Sequence, residues 1–334
     1  MGTTSAPRDY FLDNAKFILI GLVVLTHALT PLTYDHQFSK ALYLIMFTFH
    51  MPLFFFISGY FAKKAVKNKE WLKPIQRLLI PYLLIQAIYT FYYYDVYGRD
   101  LEFSFLEPHW SLWFLVTLFS FYYIIHLFKF SPYLLIVAAL FGVGIGFAEF
   151  IETSSFISLS RIAVFFPFFL AGYFTQRHHL DFIYYRGMKL AATAVFILTF
   201  AAFYIYAFEI PRHLFFGNET YEMIGFETWD GSLYRLLAYA ISVLLSICFL
   251  ILVPKQKMVI SEYAKNTMYV YLLHGFLFRY LRETGFYDGM DTIFEVVLLV
   301  IGSAAFTYFL STPMVKKVTQ PVIEPFAFIT RNRS

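Results

Sequence analysis

Two histidines stand inside apolar runs, where an ionisable ring is costly. His27 lies near the end of NAKFILIGLVVLTHAL (14–29), a stretch opened by Lys16, and His50 sits in the middle of ALYLIMFTFHMPLFFFISGYFA (41–62). A titratable side chain at such depth normally faces a protein-lined cavity and marks a functional site. At 1.5 Å rise per residue, His27 is about 16 Å from Lys16 and His50 about 20 Å from Lys63. On antiparallel neighbours joined by a short loop, the two rings therefore reach a similar height. Imidazole is the side chain best matched to taking a proton from a hydroxyl near neutral pH. That use is acid/base chemistry; the other use of either ring is an interhelical hydrogen bond.

Other polar groups are few. HWSLWFLVTL (109–118) brings His109, Trp110 and Trp113 to a helix end, where tryptophan also serves as a membrane-interface belt. SRIAVFFPFFLAGYF (160–174) opens with Arg161, and Glu149 ends the run before it. AKNTMYVYLLHGFLFRY (264–280) carries His274 eight residues into its span, about 12 Å from the inner end and lower than the other two histidines. Pro52 frees a backbone carbonyl two residues after His50, while Ser58 and Gly59 suit close helix packing. Nothing has metal-ligand spacing, no glycine-rich phosphate loop occurs, and the single cysteine, Cys248, lies in an apolar run. His178 and His179 read as a solvated loop pair.

The elements that hold these residues follow from composition. The chain of 334 residues is 59% hydrophobic and 14% charged, with mean hydropathy +0.61, far from the mix of a soluble domain. The expected fold is all-α: one polytopic membrane domain of about ten transmembrane helices. They are read at 16–34, 41–62, 78–97, 111–128, 133–150, 160–176, 188–208, 233–253, 266–283 and 292–313. With the N-terminus inside, the inner segments hold 19 of the 26 Lys and Arg, and the other side holds 16 of the 22 acidic residues. The basic bias sets orientation, so both termini are expected in the cytoplasm. Asp9 and Asp13 stand where a secretory leader would be basic, so the first span is expected to stay in the protein.

Two loops stand out. Residues 63–77, KKAVKNKEWLKPIQR, hold six basic residues against one acidic, suited either to anionic lipid headgroups or to an anionic nucleotide cofactor. Residues 209–232, acidic and aromatic, form either a solvated connector or a lid over an external substrate.

Taken together these motifs resemble the membrane-bound acyltransferase family 3, in its fucose 4-O-acetylase-like and glycan O-acetyltransferase branch. Lys16 and His27, with ten residues between them, match the family's first helix; FHMPLFFFISGYF is similar to its second-helix signature. LWFL (112–115), FFPFFLAGY (165–173) and NTMYVYLLH (266–274) resemble later segments in the same order. The sequence departs at LKPIQRLLIPY, where Lys73 and Arg77 stand four apart and many members carry Arg-x-x-Arg. The resemblance implies transfer of an acetyl or other acyl group from cytoplasmic acetyl-CoA to a sugar hydroxyl of an extracytoplasmic or lipid-linked glycan, at a bacterial plasma membrane. On that reading His27 is the catalytic base or a transient acyl carrier, and His50 positions the thioester. Lys16, Lys73 and Arg77 bind the CoA phosphates, while Trp113, Arg161, Glu149 and His274 meet the acceptor. Neither a metal nor a nucleic acid is expected. The competing class is a glycan-precursor transporter using the histidines as a proton relay, which calls for paired repeats and mid-depth carboxylates that the sequence lacks.

Overall fold

A computed structural model describes residues 9–148, 158–185, 187–226 and 229–332. These are helical, with no strand among them. Helices occupy all ten segments read from the sequence: α1 (Tyr10–Leu29), α2 (Gln37–Lys67), α3 (Ile80–Tyr97), α4 (Trp113–Leu127), α5 (Leu134–Gly144), α6 (Leu159–Phe174), α7 (Met188–Ile205), α8 (Asp230–Leu252), α9 (Thr267–Glu283) and α10 (Ile293–Leu310). Two further helices follow, α11 (Pro313–Ile323) and α12 (Pro325–Asn332). Among the described residues six helical segments, those holding α1, α2, α4, α7, α8 and α10, are long and apolar enough to cross a bilayer, and α5 and α6 lie in shorter apolar segments. Large side chains such as Leu190, Ile197, Leu198, Ile136, Phe294 and Ile301 point outward and stay exposed. An apolar exterior around a helical interior is how a polytopic membrane protein satisfies its backbone and meets lipid.

α1 begins six residues earlier than the charge of Lys16 suggested. Asp13 and Lys16, one turn apart, pair at 2.9 Å, so neither charge ends the helix. Lys16 consequently sits well inside α1. Below it the buried Asn14 amide donates to the carbonyls of Pro254 and Gln256 at 3.0 and 2.9 Å and accepts from the Ser261 hydroxyl at 2.6 Å. That pins α1 to the segment leading into α9.

α1 and α2 form the centre. One face of each joins a core with α7 and α8 through Leu19, Phe49, Leu53, Leu245 and Phe249. The other joins a second, aromatic core through Val24, Phe55, Tyr82, Phe121, Phe165 and Phe169. The closest packing is α2 on α6, and it depends on two glycines. A Cβ on Gly59 would overlap the carbonyl of Phe169, and one on Gly172 would overlap that of Phe56. The backbones therefore touch, as small residues allow between membrane helices. Lys63 donates to the carbonyl of Thr175 at the end of this contact.

Candidate active site

Three cavities follow one another through the middle of the bundle. The first, about 280 Å³, is lined by His27, His50, Trp110, Trp113, Arg161 and Arg282, among others. The second, about 220 Å³ and mostly apolar, runs beside Lys16, Ile20, Phe54, Phe114 and Met268. The third, about 310 Å³, holds Lys64, Lys73 and Arg77. Val23, Met51 and Tyr271 line both the first and the second; Phe61, Leu78, Leu118 and Tyr122 line both the second and the third. Three adjoining cavities with shared walls thus run from the basic loop to the histidines.

At the histidine end, α1 presents His27 half-buried at the cavity wall, with its ring centroid 4.3 Å from Trp110 and 5.2 Å from His274. Trp110 reaches this place by an unusual route. The buried Gln86 of α3 donates to the carbonyls of Ser104 and Glu107 at 2.7 and 2.8 Å and accepts from the His109 N–H at 2.9 Å, gripping the loop that precedes it. Trp110 then turns with φ +47°, a left-handed conformation costly for a bulky residue. Its ring lies over Gly275 of α9, where any Cβ would overlap the indole and the Tyr89 hydroxyl. Arg282 donates to the carbonyl of His27 at 3.1 Å and lies 6.0 Å over the indole. The His27 ring is thus packed between Trp110 of the loop before α4 and His274 of α9, while Arg282, also of α9, ties its carbonyl.

His50 is buried, its ring edge-on to Phe47 at 4.7 Å. Its Nδ1 lies 2.6 Å from the carbonyl of Met46. A carbonyl can only accept, so Nδ1 carries the proton and Nε2 of the neutral ring is an acceptor. His274 shows the same pattern, Nδ1 to the Val270 carbonyl at 3.0 Å, with Nε2 buried and unpartnered.

The expected sites come together unevenly. His27, His50, Trp113 and Arg161 share the first cavity, with the Arg161 guanidinium 4.6 Å over the Trp113 ring and Trp113 stacked on Phe165 at 5.5 Å. Both tryptophans therefore line the cavity. Lys73 and Arg77 share the third cavity, although Lys73 is also paired with Glu70 at 2.5 Å. Arg77 sits in a one-turn π-helix, Ile75–Leu79. Pro81, four residues on, has no N–H to give its carbonyl, and the ladder widens there. Lys16 lines the middle cavity, its ammonium 5.2 Å over Phe61.

His274 departs from expectation twice. It is not low: Ser261 bonds Asn14, and His274 and His27 each stand thirteen residues further along. The helical turns at Val259–Tyr263 and Ala264–Asn266 add the rise that a helix starting at 266 omits. Nor does it line the cavity; it is fully buried behind His27. Glu149 lies outside the described residues. Sequence reasoning passed over Arg212, Arg282, Tyr43 and Tyr271 as cavity residues. The signal was faint: of the seven cations assigned to the acidic side, three line this one cavity.

No group of His, Cys, Asp and Glu able to hold a metal occurs among the described residues. What the cavity offers is a half-exposed imidazole braced by aromatic rings, a second imidazole with a free acceptor nitrogen, and guanidinium groups. A base beside a bound hydroxyl, at the end of a long slot, suits acyl transfer from an extended donor.

Comparison with known proteins agrees. The family model described as an acyltransferase domain matches residues 9–312. Nodulation protein NolL of Sinorhizobium fredii is 33% identical over 122 residues, covering 32% of this chain and 33% of that protein. Nodulation protein NolL of Mesorhizobium japonicum is 37% identical over 83 residues, 23% of this chain and 22% of that protein. The chain thus spans a third or less of these curated relatives. No solved structure matches it. With the family's match running through all ten main helices, the chain belongs to the acyltransferase-3 family, as a helical protein whose long apolar helices suit a membrane.

Proposed function

We propose that this protein moves an acetyl group from cytoplasmic acetyl-CoA to a sugar hydroxyl presented from the other side of a bacterial plasma membrane. The observation that carries the reading is the line of three adjoining cavities. Arg77 and Lys73 hold the CoA phosphates at the basic mouth, charge against charge. The pantetheine arm lies along the apolar middle cavity past Lys16 and Met268, where water is scarce. Its thioester then ends beside His27.

There a nitrogen of His27 takes the proton of the acceptor hydroxyl as that oxygen attacks the thioester carbonyl. The tetrahedral intermediate collapses with cleavage of the C–S bond, CoA leaves as thiolate, and the proton returns from His27 to sulfur. His50, whose available nitrogen accepts, orients a donor such as the hydroxyl or an amide N–H of the pantetheine. Trp113 gives the sugar an apolar face and Arg161 a polar edge. His274 lies behind the cavity wall and Trp110 forms part of that wall; both fix the His27 ring.

Met51 lies at the neck between the first two cavities, which makes Met51→Trp the test. With the purified protein, acetyl-CoA and a glycan acceptor, this variant is expected to lower acetyl transfer at least about tenfold, since displacing reactants by about 1 Å can cost ~100-fold, while circular dichroism stays unchanged. Transfer at the wild-type rate would contradict the path, and proton-coupled glycan movement without CoA release would favour a transporter.

A further inference from the structure

The first cavity carries three guanidinium groups, Arg161, Arg212 and Arg282, and no carboxylate among its lining residues. This occurs on the side of the protein whose loops are otherwise acidic. None of the three forms an ion pair among the described residues. Among the described residues Arg212, from the loop after α7, reaches neutral acceptors: the Tyr34 hydroxyl at 2.7 Å, the Thr33 hydroxyl at 3.4 Å and His213 Nε2 at 3.3 Å. Arg282 meets the carbonyl of His27, and its Nε is buried with no partner. Arg161 lies over Trp113, and its Nε is likewise buried with no partner. The neighbouring carboxylate, Glu219, lies 2.6 Å from His213 Nδ1 instead.

Three guanidinium groups around one cavity, with no ion pair among the described residues, repel one another and carry a desolvation cost. Guanidinium donors are the side-chain partners best shaped for carboxylate and phosphate. A neutral sugar leaves those charges unanswered; an oxyanion on the acceptor answers them. We infer that the acceptor is an anionic sugar, one bearing a carboxylate or a phosphate, held by Arg161, Arg212 and Arg282 with its reacting hydroxyl toward His27. This rests on the acyl-transfer reading above and adds the acceptor's chemical class.

The test is binding, measured by titration calorimetry on the full-length protein in detergent, without acetyl-CoA. A panel of methyl glycosides of common hexoses is compared with the corresponding uronic acids and sugar phosphates. The anionic members are expected to bind at least about tenfold tighter, the worth of one charge-assisted hydrogen bond, and more weakly as salt rises. Whichever of the two anionic sets binds tighter names the oxyanion. Arg212→Ala should remove most of the preference, whereas Arg99→Ala, an exposed arginine away from the cavity, should retain it. Equal binding by neutral and anionic sugars, binding by none, or equal effects of the two variants would each overturn the inference. Acetyl transfer is assayed separately on the same panel. Transfer to neutral sugars without anionic preference removes this inference alone, whereas anionic preference without any transfer removes the acyl-transfer reading and leaves the anion site standing.

Discussion

At the scale of single residues, the account turns on how an imidazole is held. His27 touches Trp110 on one side and His274 on another, and its own carbonyl is tied to Arg282. A base must be placed before it can be useful, and small misplacements cost large factors in rate. Trp110→Ala removes the ring that spans His27 and Gly275; acetyl transfer should fall on the order of 100-fold, with acetyl-CoA affinity, read by calorimetry, within about twofold. A matching loss of affinity would mean that the indole touches the donor. His27 and His50 were legible in the sequence because ionisable groups in apolar runs have few structural uses. Trp110 was visible only as a residue type: its left-handed backbone and its seat on Gly275 arise from a loop folding onto α9, which no local pattern records. Arg212 and Arg282 were hidden for the same reason, since their convergence depends on where α9 and the loop after α7 end up.

Elements place these residues through a few backbone contacts. The Gly59 and Gly172 pair brings α2 against α6, and so sets His50 opposite Arg161 across the cavity. Gly172→Leu would drive a branched side chain into the backbone of Phe56, where overpacking alone costs about 1–3 kcal/mol. The expected result is a clearly lowered thermal midpoint by scanning fluorimetry, and an unchanged midpoint would contradict the contact. The ten segments were readable from hydropathy because each buries or exposes a whole apolar face. Their ends were less so: Lys16 looked like a boundary until its pairing with Asp13 was seen, and the short helical turns before α9 hide in a stretch of mixed polarity, 254–266.

The loop 209–226 also works as an element. Burial pushes the His213 imidazole below its ordinary value; Glu219 opposes that, while Arg212, Lys40 and Arg161 push it further down. At neutral pH the ring is uncharged, with Nε2 accepting from Arg212 at 3.3 Å. A folded value below the unfolded one means that this contribution is complete above roughly pH 6.5 and is lost as pH falls through the folded value. Protonation of Nε2 sets two cations face to face. Amide exchange across 209–226 should therefore quicken on acidification from about pH 7 to about pH 5, after correction for the intrinsic rate, and His213→Asn should abolish the change. Equal pH response in the variant would exclude His213 as the cause.

For the whole molecule, the arrangement divides labour along one axis. The basic loop, the apolar slot and the braced histidine lie one after another; on the proposed reading a charged donor keeps its phosphates at the mouth while its apolar arm and acyl end enter the bundle. The basic loop 63–77 and the histidines in apolar runs were legible in the sequence; that Lys16 lines the apolar middle cavity was not. The cavities were not, because they are spaces left between five helices. The most direct measurement is single-turnover acetyl transfer by purified His27→Ala, with acetyl-CoA binding measured on the same sample. Binding within about twofold of wild type, together with transfer at least about 100-fold slower, is the result expected of a lost general base. Transfer within a few-fold of the wild-type rate would contradict the assignment of His27.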